Sequence, residues 1–143
     1  MTSHHGQAPA AEQVLALMPF AALLGIRAEQ AEPHQVVLCL PWAAERCTAG
    51  GVLHGGALVA LADSAAGMCA YLNLPEGAST STIELKTNFF AAVRGGEVRA
   101  VAAPLHLGGS VAVIQTDLFH STPHGQRHRV GQTTQTQAIL RPR

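Results

Sequence analysis

The sequence predicts an α+β fold in which one long helix lies against a curved antiparallel sheet, and three observations carry that prediction. Residues 56–72 are rich in Ala, Leu, Val and Met and hold one charge, Asp63. A helix apolar nearly all round is one buried on most sides. Four β-rich runs follow, at 80–93, 97–106, 110–120 and 128–140. They are separated by Arg94-Gly95-Gly96, Gly108-Gly109 and Pro123-His124-Gly125, short and glycine-rich as antiparallel hairpins require. No crossover helix lies between these runs, so a parallel sheet is excluded.

The elements follow in chain order. Residues 1–9 are polar, include His4, His5, Gly6 and Pro9, and fit no periodic template, so a flexible tail is expected before a single domain at 10–143. Across 10–18, Val14, Leu15 and Met18 recur at helical spacing and Pro19 stops them, which predicts a short amphipathic helix. Two strands are expected next, at 24–31 and 35–40, parted by Pro33 and His34. The loop 46–51 ends in Gly50-Gly51, after which His54-Gly55-Gly56 opens the long helix.

Composition narrows the function. With 143 residues, 48% hydrophobic and 13% charged, the chain suits one domain with a proper core. Its formal net charge of zero argues against the basic surface that nucleic-acid binding needs. Cys39, Cys47 and Cys69 are odd in number and lack CxxC spacing, which predicts neither disulfides nor a thiolate metal site. They read as reduced thiols of a cytoplasmic protein. Residues 1–13 carry no basic n-region followed by an apolar h-region, and no stretch approaches the roughly 18 apolar residues of a membrane span. No membrane partner is expected.

Asp63 is the costly residue. An unpaired carboxylate in an apolar helix loses several kcal/mol to desolvation. Either it bonds neighbouring groups structurally or its charge is used in chemistry. Three, four and seven positions away stand Gly56, Val59, Ala60, Ala66, Gly67 and Ala70, nearly all small, which leaves room for a ligand or a second helix. At the start of the helix, Gly55 and Gly56 offer free backbone N–H groups and the positive end of the dipole, suited to a developing oxyanion. From Gly55 to Asp63 the rise is roughly 12 Å. One reacting carbon cannot touch both. If both act together, Gly55 of one chain meets Asp63 of another, and a C2 dimer with antiparallel long helices makes two such sites.

The run His54-Gly55-Gly56-Ala57-Leu58-Val59-Ala60-Leu61-Ala62-Asp63, followed by Thr82-Ile83-Glu84-Leu85-Lys86 and Phe89, resembles the hotdog-fold thioesterases of the phenylacetate-degradation type from about Thr48 to Leu140. The resemblance implies a curved sheet wrapped around the helix, dimers with a continuous sheet and usually homotetramers. It implies acyl-CoA or aryl-CoA thioester substrates, with no metal and no cofactor. Carried over by position, Asp63 is nucleophile or general base, Gly55 gives its N–H to the thioester oxygen, His54 orients the thioester, and Thr82 helps place the attacking water. Thr48 and Gly56 border the substrate. The CoA arm lies along Leu107-Gly108-Gly109-Ser110-Val111-Ala112, with Arg94 as a phosphate contact. Two departures stand out: many relatives carry Asn at Thr48, and the hairpin position that is often basic is Gly109. The latter implies that CoA is held more by backbone amides than by charge.

Other candidates are weaker. His120, His124 and His128 fall around a turn and read as a surface trio rather than a zinc site. Ser64 has no GxSxG frame. Cys69 reads as core. Phe89 and Phe90 point oppositely on a strand, so at most one lines an acyl pocket. Two rivals remain, a non-catalytic acyl-CoA-binding hotdog module and a hydratase of the same fold, although the Asp and His pairing usual in the hydratase is absent after Asp63.

Overall fold

The computed structural model describes residues 7–125 and 127–143. Two short helices, α1 (Gln7–Leu15) and α2 (Pro19–Leu24), precede strands β1 (Arg27–Glu32) and β2 (Gln35–Pro41). The long helix α3 (Gly55–Leu72) comes next, then β3 (Ser79–Phe89), β4 (Glu97–Leu107), β5 (Val111–Ser121) and β6 (Arg127–Leu140). All strands pair antiparallel in one six-stranded sheet of order β1-β2-β4-β5-β6-β3. The expected α+β class, a curved antiparallel sheet around one long helix, is the fold observed.

The first segment departs from expectation. Helix α1 begins at Gln7, inside the stretch read as a tail, and residues 1–6 of that stretch lie outside the described residues. Pro19 starts α2 instead of stopping a helix, because a proline at the first helical position gives up an N–H that has no partner there anyway. Leu24 closes α2 and is not strand. The chain then leaves the helix through Gly25 at φ 77°, a left-handed turn in which Gly25 N–H bonds Ala22 O and Ile26 N–H bonds Ala21 O.

A second correction concerns Arg94-Gly95-Gly96, which is no hairpin. β3 does not pair with β4 but runs along β6, at the sheet edge. Between them the chain crosses the start of α3, tied by Phe90 N–H to Val130 O (2.7 Å), Leu53 N–H to Val93 O (2.9 Å) and Trp42 N–H to Gly96 O (2.8 Å). The other two separators do close hairpins.

The core forms where α3 lies in the concave sheet. Leu58, Leu61, Ala65 and Met68 of the helix meet Val36, Leu38 and Leu40 of β2, Val98, Ala100 and Ala102 of β4, and Ile114 and Leu118 of β5. Small residues on both surfaces let helix and sheet approach closely, and interiors packed to this density respond to the loss of even one methylene. Among the described residues, α3 is the one helix that meets a membrane span's length and hydropathy, at 18 residues and 1.3, and half of it is buried inside the fold. It is the core helix.

Candidate active site

Asp63 stands midway along α3, half-buried, where the helix faces β3 and β6. Its Oδ1 accepts hydrogen bonds from Gln135 Nε2 at 2.9 Å and Thr82 Oγ1 at 3.1 Å. No cation bridges it among the described residues. The charge anticipated from an isolated carboxylate in an apolar helix therefore rests on neutral donors, which stabilise an ionised group without cancelling it.

Behind those donors is a polar network inside the core. Gln135 is fully buried and Gln137 nearly so. Gln135 Nε2 also donates to Gln137 Oε1 (2.8 Å), which accepts from Thr82 Oγ1 as well (2.7 Å), while Gln137 Nε2 reaches Thr80 Oγ1 (3.2 Å). The register explains the convergence. Thr82 lies opposite Gln137, and Gln135 and Gln137, two apart on β6, share a face. The sequence reading missed both glutamines. Little in the sequence signals them: the inward positions of β6 are Gly131, Thr133, Gln135 and Gln137, none of them a large apolar residue, and the apolar Val130 falls out of phase with them at a bulge.

Beside Asp63 opens a cavity of about 370 Å³, walled by Leu17, Met18 and Phe20 from the α1–α2 segment and by Gly67, Met68 and Tyr71 from α3. Leu17 and Phe20 are more than half exposed at its rim. Ser64 also lines it, but its hydroxyl bonds back to Ala60 O at 2.7 Å, one helical turn away.

The amino end of α3 is a separate place. His54 is the N-cap: its Nδ1 accepts from Gly56 N–H at 2.8 Å, so any ring proton of the neutral imidazole is on Nε2. The N–H groups of Ala57 and Leu58 both reach His54 O. Among the described residues, the Gly55 N–H alone in this first turn has no partner. Gly55 shares a recess with Thr48, Phe89 and Phe90, whereas His54 and Gly56 line another, next to Arg46 and Phe20. A side chain at Gly55 would meet Phe89 Cζ at 3.1 Å, so the phenyl ring shields this end of the helix. The recess at Gly55 and the cavity at Asp63 have no lining residue in common. Asp63 and Thr82 are thus brought together, as are Gly55 and Thr48, but the two groups stay apart within one chain.

The remaining predicted residues are scattered. Arg94 donates to Gly50 O (3.1 Å). Gly108 N–H closes the β4–β5 hairpin on Val111 O (2.9 Å), and Ser110 O accepts from Ile139 N–H (2.9 Å). Gly109 O accepts from Arg141 (3.1 Å), so a cation the sequence reading did not single out stands at the hairpin position that lacks one.

Burial pushes the Cys69 thiol up to about 11 and, with the Glu29 hydrogen bond and charge, pushes Cys39 up to about 12. Both are inert. Glu29, Cys39 and Glu97 put donor atoms within 4.8 Å of one another. They do not suit a metal, since the thiol is held protonated and the carboxylates pair with Arg99 and Arg27. Burial works against the Glu29 carboxylate, yet the Cys39 and Arg99 hydrogen bonds and nearby charge hold it below its ordinary range. The histidine trio forms no such group among the described residues. His120 bonds Gly95 O at 2.8 Å and lies opposite His128 across the β5–β6 ladder.

Residues 50–125 match the family model described as the thioesterase superfamily. The chain is 39% identical over 69 residues to 1,4-dihydroxy-2-naphthoyl-CoA hydrolase of Escherichia coli, a match covering 48% of this chain and 51% of that protein. The chain spans about half the length of the curated relatives it matches. Among solved structures it resembles a thioesterase family protein from Silicibacter pomeroyi, with TM-score 0.87, 27% identity and coverage of 96% of this chain and 100% of that one. It also resembles a mutant of phenylacetic acid degradation protein PaaI from Thermus thermophilus, with TM-score 0.73, 25% identity and coverage of 87% and 99%.

Proposed function

This chain belongs to the thioesterase superfamily, and from that premise we propose that it hydrolyses acyl- or aryl-CoA thioesters to free acid and CoA in a site shared by two copies. The observation that carries the reading is the division of labour along α3: Gly55, whose N–H has no partner among the described residues, lines one recess and Asp63 lines another. Each lacks, within its own chain, the group that thioester hydrolysis needs beside it.

The edge strand supplies a way to join them. β3 begins at the Asp63 cavity, where Thr80 and Thr82 line the wall, and ends at Phe89 against Gly55. Two β3 edges pairing antiparallel across a two-fold axis set the first end of one strand beside the last end of the other. That apposes Asp63 with Gly55 of the partner subunit, twice per dimer. An unpaired edge with Ile83 59% exposed at its middle suits such pairing. Two dimers then associate as a homotetramer.

In this site the thioester oxygen lies on the partner's Gly55 N–H. Asp63 either attacks the carbonyl carbon, forming a mixed anhydride that a water then cleaves to free acid and the restored carboxylate, or takes a proton from a water that attacks the carbon directly, with Thr82 beside that water. Charge built on the oxygen is met by a preorganised donor and helix dipole, worth about 3 kcal/mol in comparable oxyanion holes. The CoA sulfur leaves and takes up a proton. His54 holds the first turn in place, and Gly56, whose N–H is engaged by His54, acts by leaving space. Thr48 borders the thioester. The acyl group enters the apolar cavity beside Asp63, while Arg94, Gly108, Gly109, Ser110 and Arg141 receive the nucleotide arm. We place this activity in the cytoplasm, in keeping with three free thiols.

A panel of acyl- and aryl-CoA thioesters with free-thiol release as readout tests the reading. Asp63→Asn is expected to remove most turnover, roughly 100-fold or more, with the fold and CoA affinity intact. Undiminished turnover in that variant would end the proposal. Tight acyl-CoA binding with no turnover by the native chain would leave a binding module instead.

A further inference from the structure

The two buried glutamines of β6 have no counterpart in the chemistry derived so far. Gln135 sits at 0% exposure, and burying an amide there is costly unless it bonds. Its Nε2 is hydrogen-bonded on both sides, to Asp63 Oδ1 and Gln137 Oε1, while its buried Oε1 has no partner among the described residues. Two acceptors on one atom fix which end of the amide is nitrogen. Its donating end is the end in use, and it is aimed at the carboxylate.

Gln137 bears on the same carboxylate through Thr82. The threonine hydroxyl has one proton and two acceptors in reach, Gln137 Oε1 at 2.7 Å and Asp63 Oδ1 at 3.1 Å. The amide, held in place by Gln135, competes with Asp63 for that proton from the shorter distance.

We infer that Gln135 and Gln137 are positioning residues that set the basicity of Asp63 in opposite directions, Gln135 by donating to it and Gln137 by drawing the Thr82 proton away. This rests on the thioesterase reading above. Among the described residues around Asp63, α1 and α2 contribute Val14, Leu17, Met18, Phe20 and Ala21, none titratable. α3 contributes Tyr71, β3 the hydroxyls of Thr80, Ser81 and Thr82, and the β5 residues paired with the glutamines are Ile114 and Ala112. In the dimer proposed above, the facing element adds the amino end of α3 with His54 of the partner subunit. Among these described residues no charged side chain competes, so the neutral donors decide.

The test compares the native chain with Gln135→Met, Gln137→Met and Asp63→Asn, following thiol release from benzoyl-CoA and octanoyl-CoA across pH. Loss of the Gln135 donor destabilises the ionised carboxylate. The acid limb of kcat/KM is then expected to move up by about one pH unit, a loss of up to about tenfold at pH below the limb, with the plateau and KM unchanged. Loss of Gln137 commits the Thr82 proton to Asp63, so the acid limb should move down. Packing damage alone has no reason to give shifts of opposite sign. An unmoved limb in either folded variant, or shifts in the same direction, overturns the inference. If one variant does not fold, the sign in the other decides; failure of both to fold also overturns it, by showing that the amides serve the core. Turnover persisting in Asp63→Asn, or absent from the native chain, removes the thioesterase reading instead and is seen independently of these shifts.

Discussion

Subunit mixing gives the shared site its sharpest test. Gly55 is the first helical residue of α3, following an extended His54 at φ −62°, ψ 132°. A proline fits that position and its predecessor without breaking the helix, and it deletes one N–H and nothing else that the first turn uses. Its ring would press on Phe89, which is 49% exposed and has room to give. Gly55→Pro should therefore fold normally and lose about 100-fold to 1,000-fold in kcat, the range for a removed oxyanion donor. Asp63→Asn is similarly inactive. When the two variants are unfolded together and refolded in equal amounts, random pairing makes about half of the dimers mixed. In each mixed dimer one site combines the intact Asp63 of one chain with the intact Gly55 of the other, and the second site has lost both. About one quarter of native activity should return. A site built within a single chain predicts no recovery, because every chain carries one lesion. The assay is thiol release, with mixed-dimer content measured by native mass spectrometry on differently tagged chains. Verified mixed dimers without activity above the parents would refute the trans arrangement.

Three further outcomes are expected. Ile83→Lys puts a charge at the middle of the exposed β3 edge and should yield a monomer in sedimentation velocity, without hydrolysis although the Asp63 network is untouched. Leu61→Ala empties a fully buried position between helix and sheet and should cost about 2–5 kcal/mol in urea unfolding. Glu29 has a folded-state pKa below its ordinary value, so its contribution is present above the unfolded carboxylate value, about 4.3, and is lost as pH falls through the lower folded value. Thermal melts of Glu29→Gln should accordingly fall less steeply below about pH 4 than those of the native chain.

Much of this protein was legible in its sequence because the relevant signals are local. An apolar 18-residue helix, glycine-rich separators and alternating strands are properties of contiguous residues, and they specify an α+β fold with Asp63 as its one anomalous group. The proposal of a shared site also starts from helical rise, which sets Gly55 and Asp63 too far apart along one axis for a single reacting carbon to touch both. The local signal failed where a residue has two meanings. Pro19 ends one helical pattern and begins another. Arg94-Gly95-Gly96 has the composition of a hairpin, but the chain there crosses the fold to deliver β4 to β2.

The partners of Asp63 lay beyond that reach. Gln135 is 72 residues away and Thr82 is 19, and they meet only because β3 returns to pair with β6. Strand pairing is a long-range choice decided by how the whole sheet buries its apolar face, and one chain's periodicity does not state it. By itself the sequence named the charge and the helix that carries it. Only the tertiary structure decided which neutral donors meet that carboxylate, and set Gly55 in a recess apart from the cavity that Asp63 lines.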